Sequence, residues 1–382
     1  MRIAAISTSR IPSHTANSIQ VMKVCQALRQ KNQEIKLWVP GYQTDGWSEL
    51  ADQYGLKTSF DIEWLKFNSQ CKQYDFSWKA VRAAIHWDAD VIYTWALQAA
   101  VLSAIQNRFT VMEFHDYPMG ALGPVWFRLF MHAPGKKLIL TTTQSLANGL
   151  RTRFKLEFPD TMLQIAPNGT ELERYQSLPD SKKARKELGI PENFTLLYSG
   201  HFYAGRGMDL MIELAQSLPQ FQFLWVGGQE QDIEPWKRKL RNMGIRNVLL
   251  TGFIPNARLP LYQAAGDILL MPYQMEIAGS SGGNIVKVIN PMKMFDYLAS
   301  KRVILASDIP IFHEVLSEKN CVFCPPDDVQ TWTQAILDLE GNPQKMEKLA
   351  ASAYRDAARF TWSSRADRTL LKIQTLLENG NS

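Results

Sequence analysis

Only four cysteines occur in 382 residues. That is too few for a small secreted fold stapled by disulfides. Cys25 falls in an apolar helical pattern and Cys71 stands alone. Cys321 and Cys324 form a C-x-x-C, but no second pair or histidine cluster accompanies them, and zinc asks for four ligands. All four are read as structural thiols in a reducing compartment. No run of about 18 apolar residues occurs, so no membrane-crossing helix is expected. Met1-Arg2 leads straight into Ile3-Ala4-Ala5-Ile6, too short for a signal peptide. A cytoplasmic protein is expected, with the inner face of the membrane as one place for it. Charge of one sign is lacking too: 42 basic against 37 acidic residues leave a net +5, mixed along the chain. That makes no case for a nucleic-acid partner. The turn after the first strand reads SRIPSHTANS rather than G-x-G-x-x-G. Without those glycines a dinucleotide cannot approach the backbone, and no nicotinamide or flavin site is expected there.

What is present is apolar alternation. Residues are 46% hydrophobic, enough for two domains with a core each. Strands are expected at 2–7, 35–39, 90–94, 110–114, 138–141 and 163–166, with amphipathic stretches such as Ser18 to Gln30 between them. The pattern pauses at Pro167-Asn168-Gly169-Thr170 and the polar run through Lys186. A second series follows at 195–199, 221–226, 248–251, 268–271, 303–306 and 321–323, then helices to the end. Such alternation gives parallel sheets covered by helices, which bind ligands at the carboxyl ends of their strands.

The chain is organised around NPMKMFDYLASKRVILASD, Asn290 to Asp308. Asn290 suits a helix N-cap and Pro291 the first helical position. The glycine loop Gly279 to Asn284 precedes it, and a flexible loop feeding a helix N-terminus is an anion site. Asp296 could reach a sugar hydroxyl. A second turn, SGHFYAGRGMD from Ser199 to Asp209, offers Gly200, Gly205 and Gly207 for close approach and Arg206 for phosphate oxygens. Two anion sites at the strand ends of one half would converge on one diphosphate. His115, in EFHDYP at the end of a first-half strand, stands at a site edge between acids. Asp88-Ala89-Asp90 matches a metal-binding D-x-D but reads better as a helix end leading into a strand. The stretch PVWFRLFMHAPGKK, Pro124 to Lys137, is read as core, with a membrane or lipid-acceptor surface as the other reading.

EFHD, APNG, SGHFYAGRG, FLWVGG, LLTGF, AAGDILLMPY, PMKMFDYLASKRVILASDIP and the closing FTW follow one another in this order. The ordered set resembles the retaining glycosyltransferases of family 4. The resemblance implies an α/β protein of GT-B fold, two Rossmann-like αβα domains facing across a cleft. It implies an N-terminal acceptor-binding domain, 1–172, and a C-terminal nucleotide-sugar-binding domain, 173–361, with a helix at about 362–382 crossing back to the first. A sugar would pass from a UDP- or GDP-sugar to an acceptor hydroxyl with retention, without a metal or other cofactor. The acceptor would be a glycan, a lipid-linked glycan or a small molecule, in glycan, glycolipid or cell-surface polysaccharide synthesis, with peripheral membrane contact. His115 and Arg206 are the catalytic residues that follow. Ala16, Asn17, Gly200, His201, Arg206, Gly282, Gly283, Asn290, Met292, Lys293 and Asp296 would bind the donor. The chain departs from the family pattern at His201, where arginine is usual, and at Arg206, where lysine is usual. The two family glutamates fall at Val288 and Asp296, so the first is missing and the second shortened. Two alternatives stand beside this reading. One is another GT-B enzyme, such as an inverting transferase with His115 as base. The other is a decayed nucleotide-sugar-binding protein.

Overall fold

The computed structural model describes residues 1–68, 70, 73–278 and 283–378. Cys71 and Gly282 lie outside the described residues. Thirteen strands run in chain order among these residues. They are β1 (Arg2–Ile6), β2 (Glu34–Pro40), β3 (Asp61–Leu65), β4 (Val91–Thr94), β5 (Thr110–Phe114), β6 (Lys137–Thr141) and β7 (Leu163–Ile165), followed by β8 (Thr195–Ser199), β9 (Gln222–Val226), β10 (Val248–Leu250), β11 (Ile268–Met271), β12 (Val303–Ser307) and β13 (Val322–Cys324). They build two wholly parallel sheets, ordered β3-β2-β1-β4-β5-β6-β7 and β10-β9-β8-β11-β12-β13. The chain divides into two compact units. One is Met1–Asn168 with the segment from Trp362 on; the other is Gly169–Thr361.

The strands form because their apolar runs are long enough to be buried on both faces, the condition for a parallel sheet. All five residues of β8, of β9 and of β12 are buried. In the second unit the two faces feed two cores. Leu197, Leu224, Leu269 and Ile304 pack on one side. Leu196, Tyr198, Phe223, Trp225, Leu270 and Leu305 pack on the other. In both sheets the order reverses beside the first strand of the series, between β1 and β4 and between β8 and β11. That reversal opens a crevice outside the strands' carboxyl ends.

Several expectations shift at the ends of elements. The strand β3 was not expected. Its sequence, Asp61-Ile62-Glu63-Trp64-Leu65, is short and interrupted by acids, and it pairs only with β2 at the sheet edge. The first helix begins at Ala16 rather than Ser18, because the Thr15 side chain accepts the Ser18 N–H at 3.3 Å and caps it. The helix expected to be capped by Asn290 runs Met292–Ala299 with Pro291 at the cap position. Pro291 has ψ 128°, so its backbone is still extended and the helix starts one residue later. No side chain caps it. The last helix, Trp362–Glu378, belongs to the first unit and lies against the helix Ala16–Gln30.

Candidate functional site

In the second unit, β8 and β11 deliver two loops to the switch point. The loop after β8 carries Gly200 to Gly207; the stretch after β11 leads to the helix Met292–Ala299. Gly207 sits at φ +76°, and a Cβ there would overlap the Pro272 carbonyl oxygen. Only glycine lets the two loops pack this closely. Their contact brings Arg206 and Lys293 to one aromatic box. The Arg206 guanidinium carbon lies 4.8 Å from the Tyr273 ring centre. Lys293 Nζ lies 3.6 Å from that of Tyr198 and 5.4 Å from that of Tyr273.

Lys293 Nζ and Arg206 Nη1 are buried without a hydrogen-bond partner, and neither cation is ion-paired with a described carboxylate. Burial first, and the Arg206 charge second, hold the Lys293 ammonium well below the ordinary lysine range. Burial likewise pushes the Tyr198 and Tyr273 phenols up, so neither ring offers a counter-charge. Two adjacent cations with no anion are costly unless a ligand brings one. The open N-terminus of the helix Met292–Ala299 adds uncapped N–H groups beside them.

The remaining donor candidates distribute unevenly. Gly200, at φ +139°, sits beside Lys293: a Cβ there would come 2.8 Å from Nζ. The His201 ring stacks on exposed Tyr203, with centres 4.8 Å apart. Its carbonyl accepts the Tyr198 hydroxyl at 2.6 Å. Met292 is the first residue of the helix and Asn290 stands just outside it. Gly283 is exposed at φ +79°. Next to it, the Asn284 Oδ1 accepts the Ile277 and Val286 N–H groups at 3.0 Å each. Asp296 Oδ1 accepts the Thr170 hydroxyl at 2.9 Å. Val288 is 1% exposed, so the position of the missing carboxylate faces the core.

In the first unit, Ala16 and Asn17 are exposed residues in the first turn of their helix. His115 stands just past β5. Its Nε2 lies 2.7 Å from Glu113 Oε1, with His115 27% exposed and Glu113 fully buried. The same Oε1 accepts Gln20 Nε2 and Arg365 Nη2 at 2.6 Å each, and Oε2 accepts the Tyr93 hydroxyl. Burial alone would raise the Glu113 carboxyl; Arg365 and then His115 outweigh it and hold it well below the usual carboxylate range. Arg365 comes from the last helix and is itself anchored by the Pro167 carbonyl at 3.0 Å.

Sequence reasoning missed the tyrosines of the box, Thr170, and the partners of Glu113. The tyrosines carried a signal, since Tyr198 and Tyr273 each flank the end of a strand in the series. Arg365 carried none, being 252 residues from Glu113. The D-x-D residues serve structure: Asp88 pairs with Arg2 at 2.6 Å and Asp90 accepts the Arg2 N–H at 2.7 Å. The segment 124–137 is split. Phe127 and Phe130 are buried, whereas Leu129 on the same helix is 47% exposed beside exposed Arg128, so the core reading fails there. Cys321 and Cys324 are buried free thiols, and burial pushes the second up to about 12. Among the described residues no three His, Cys, Asp or Glu side chains gather as a metal-ligand group. None of their helices is long and apolar enough to cross a membrane.

Two doubly wound parallel sheets in one chain, one with a cationic box at its switch point, define the GT-B class of α/β protein. The fold is that of Anabaena HepE in complex with UDP, at a TM-score of 0.74 and 18% identity, covering 98% of this chain and 100% of that one. It is equally that of the sucrose-phosphate synthase from Thermosynechococcus elongatus, at 0.77 and 17%, covering 99% of both chains. Residues 193–342 match the family model described as Glycosyl transferases group 1. The chain is 23% identical over 203 residues to the alpha-galactosylglucosyldiacylglycerol synthase of Streptococcus pneumoniae, covering 51% of this chain and 50% of that protein. The chain thus spans about half the length of the curated relatives it matches. These likenesses show the GT-B fold, and residues 193–342 are similar to the glycosyltransferases of group 1.

Proposed function

We propose that the protein is a retaining glycosyltransferase that moves a sugar from a nucleoside-diphosphate sugar to an acceptor hydroxyl. The observation that carries the reading is the half-buried, anion-free pair of Arg206 and Lys293, each with a buried nitrogen that lacks a hydrogen-bond partner, at the switch point of the second unit. A diphosphate supplies the missing charge, and the helix N-terminus at Met292 adds N–H donors to it. As the bond to the anomeric carbon breaks, charge grows on the leaving diphosphate, and the same groups stabilise it. The leaving group's own oxygen takes the acceptor proton in a front-face displacement, so paired carboxylates are not needed. His115 touches the transferred sugar, and Asp296 binds the ribose hydroxyls. The UDP complex of HepE supports a uridine donor. The diacylglycerol glycolipid in the name of the pneumococcal synthase supports a lipid-linked acceptor in glycolipid or surface-polysaccharide synthesis.

A thermal-shift panel of UDP, GDP, ADP and TDP, each with and without magnesium, tests the donor site. A ligand that binds only the folded state raises its apparent stability. One nucleotide should stabilise clearly, without magnesium, and its sugar derivatives then become the donors assayed for transfer and product anomer. Shift without turnover would instead favour a binding protein, for which the buried Val288 is the specific support.

A further inference from the structure

His115 is held in the first unit by a chain of contacts that its motif alone does not explain. Glu113 is fully buried, yet four side chains from four elements donate to it: His115, Gln20, Tyr93 and Arg365. A carboxylate with the Arg365 guanidinium at 2.6 Å is ionised and can only accept. The imidazole nitrogen that faces it must therefore carry the proton. In the neutral ring the other nitrogen, Nδ1, is then the acceptor.

We propose that Glu113 is the positioning residue of His115 and that Arg365, from the last helix, keeps Glu113 in that role. Together they fix the ring as the Nε2–H tautomer, with Nδ1 offered to a hydroxyl of the bound sugar. The proposal deepens the transferase reading and rests on His115 touching the transferred sugar. Glu113 and Arg365 touch no substrate themselves. Their packing is specific: Arg365 Nε bonds the Ala166 and Pro167 carbonyls, which sets the guanidinium face that meets Glu113. The last helix thereby contributes to the chemistry of the first unit through one side chain.

The test uses the full chain labelled with 15N-histidine, and long-range 1H–15N NMR reads the tautomer. Among the six histidines, His115→Asn identifies the signal by its loss. In spectra of the neutral ring, the expected wild-type signal is protonation at Nε2. Glu113→Gln should lose the single tautomer, because an amide can donate or accept. It should lower kcat roughly 10- to 100-fold, as loss of an orienting partner does elsewhere, while the affinity for the nucleoside diphosphate alone stays within about twofold. Arg365→Lys, which keeps the charge, should keep the tautomer and recover part of kcat. If Glu113→Gln fails to fold, the double variant Glu113→Gln/Arg365→Gln removes both buried charges and is measured in its place. A wild-type ring protonated at Nδ1 overturns the proposal, as does a folded single or double variant with wild-type kcat. Should wild-type protein transfer no sugar from any donor, the transferase reading fails, and the tautomer comparison still decides whether Glu113 positions the ring.

Discussion

Lys293 Nζ lies 3.6 Å from the centre of the Tyr198 ring and finds no hydrogen-bond partner. The ring face offsets part of the cost of burying an ammonium, by about 0.5–2 kcal/mol. It cannot replace a counter-ion.

This leads to a prediction about protons. Folded Lys293 holds its proton less tightly than the unfolded chain does. Stability of the ligand-free protein should therefore rise with pH between the folded value and the ordinary lysine value of about 10.4. A bound diphosphate reverses the shift, so nucleotide binding at about pH 9 should take up protons. Calorimetry in buffers of different ionisation enthalpy measures the uptake. Lys293→Met should abolish it, weaken binding, and raise ligand-free stability by about 1 kcal/mol. Proton uptake that persists in the variant would point to another group.

Arg206 should act on turnover more than on folding. Its loop is held by the close approach of Gly207 to the Pro272 carbonyl and by the Gln274 N–H on the Gly205 carbonyl at 3.0 Å. Arg206→Ala is expected to keep its circular-dichroism spectrum and melting temperature. Its kcat should fall by about 10²- to 10³-fold, the scale for losing a group that stabilises growing negative charge. Steady-state kinetics with the donor identified by thermal shift would show it, and wild-type turnover would sink the assignment.

Asp296 and Thr170 should report on the nucleoside. The Thr170 hydroxyl orients the shortened carboxylate by donating to Oδ1 at 2.9 Å. Asp296→Ala should raise the donor KM roughly 10- to 100-fold, the value of one or two charged hydrogen bonds. Thr170→Val should raise it less, by about 2- to 10-fold, with kcat little changed. Initial-rate measurements at varied donor would decide. Equal loss in kcat alone would mean that Asp296 does not bind the donor.

Acid should unfold the first unit through Glu113. Its carboxyl is depressed in the folded state, so its contribution is present above the ordinary carboxylate value of about 4.3 and lost as pH falls below it. Urea melts from about pH 7 to 3 should lose midpoint steeply at the acid end in wild type. The loss should be shallower in the Glu113→Gln/Arg365→Gln variant. Parallel slopes in the two proteins would show that other carboxylates govern the acid limit.

The alternation of apolar strands with helices was enough to place every strand of the second unit: β8, β9, β11 and β12 are wholly buried, and the edge strands β10 and β13, though partly exposed, keep uninterrupted apolar runs. It was not enough for β3. An edge strand buries only part of its length, and Asp61 and Glu63 dilute its pattern. The motifs also put His115 and Arg206 in the loops that follow β5 and β8, since loops at the carboxyl ends of strands stay next to their strands in sequence.

What the local sequence could not decide was partnership. That Arg206 and Lys293 share one tyrosine box depends on how two loops pack at Gly207, 86 residues before Lys293 within the same sheet. The start of the Met292 helix depended on the backbone angle at Pro291, which composition does not set. The surroundings of Glu113, the partner of His115, depend on Arg365, which becomes the neighbour of Glu113 only when the last helix docks within the first unit. Secondary structure and chemical vocabulary are local properties of the chain. Which charges face one another, and which are left without a partner for a ligand to supply, is settled by burial, and burial belongs to the tertiary structure alone.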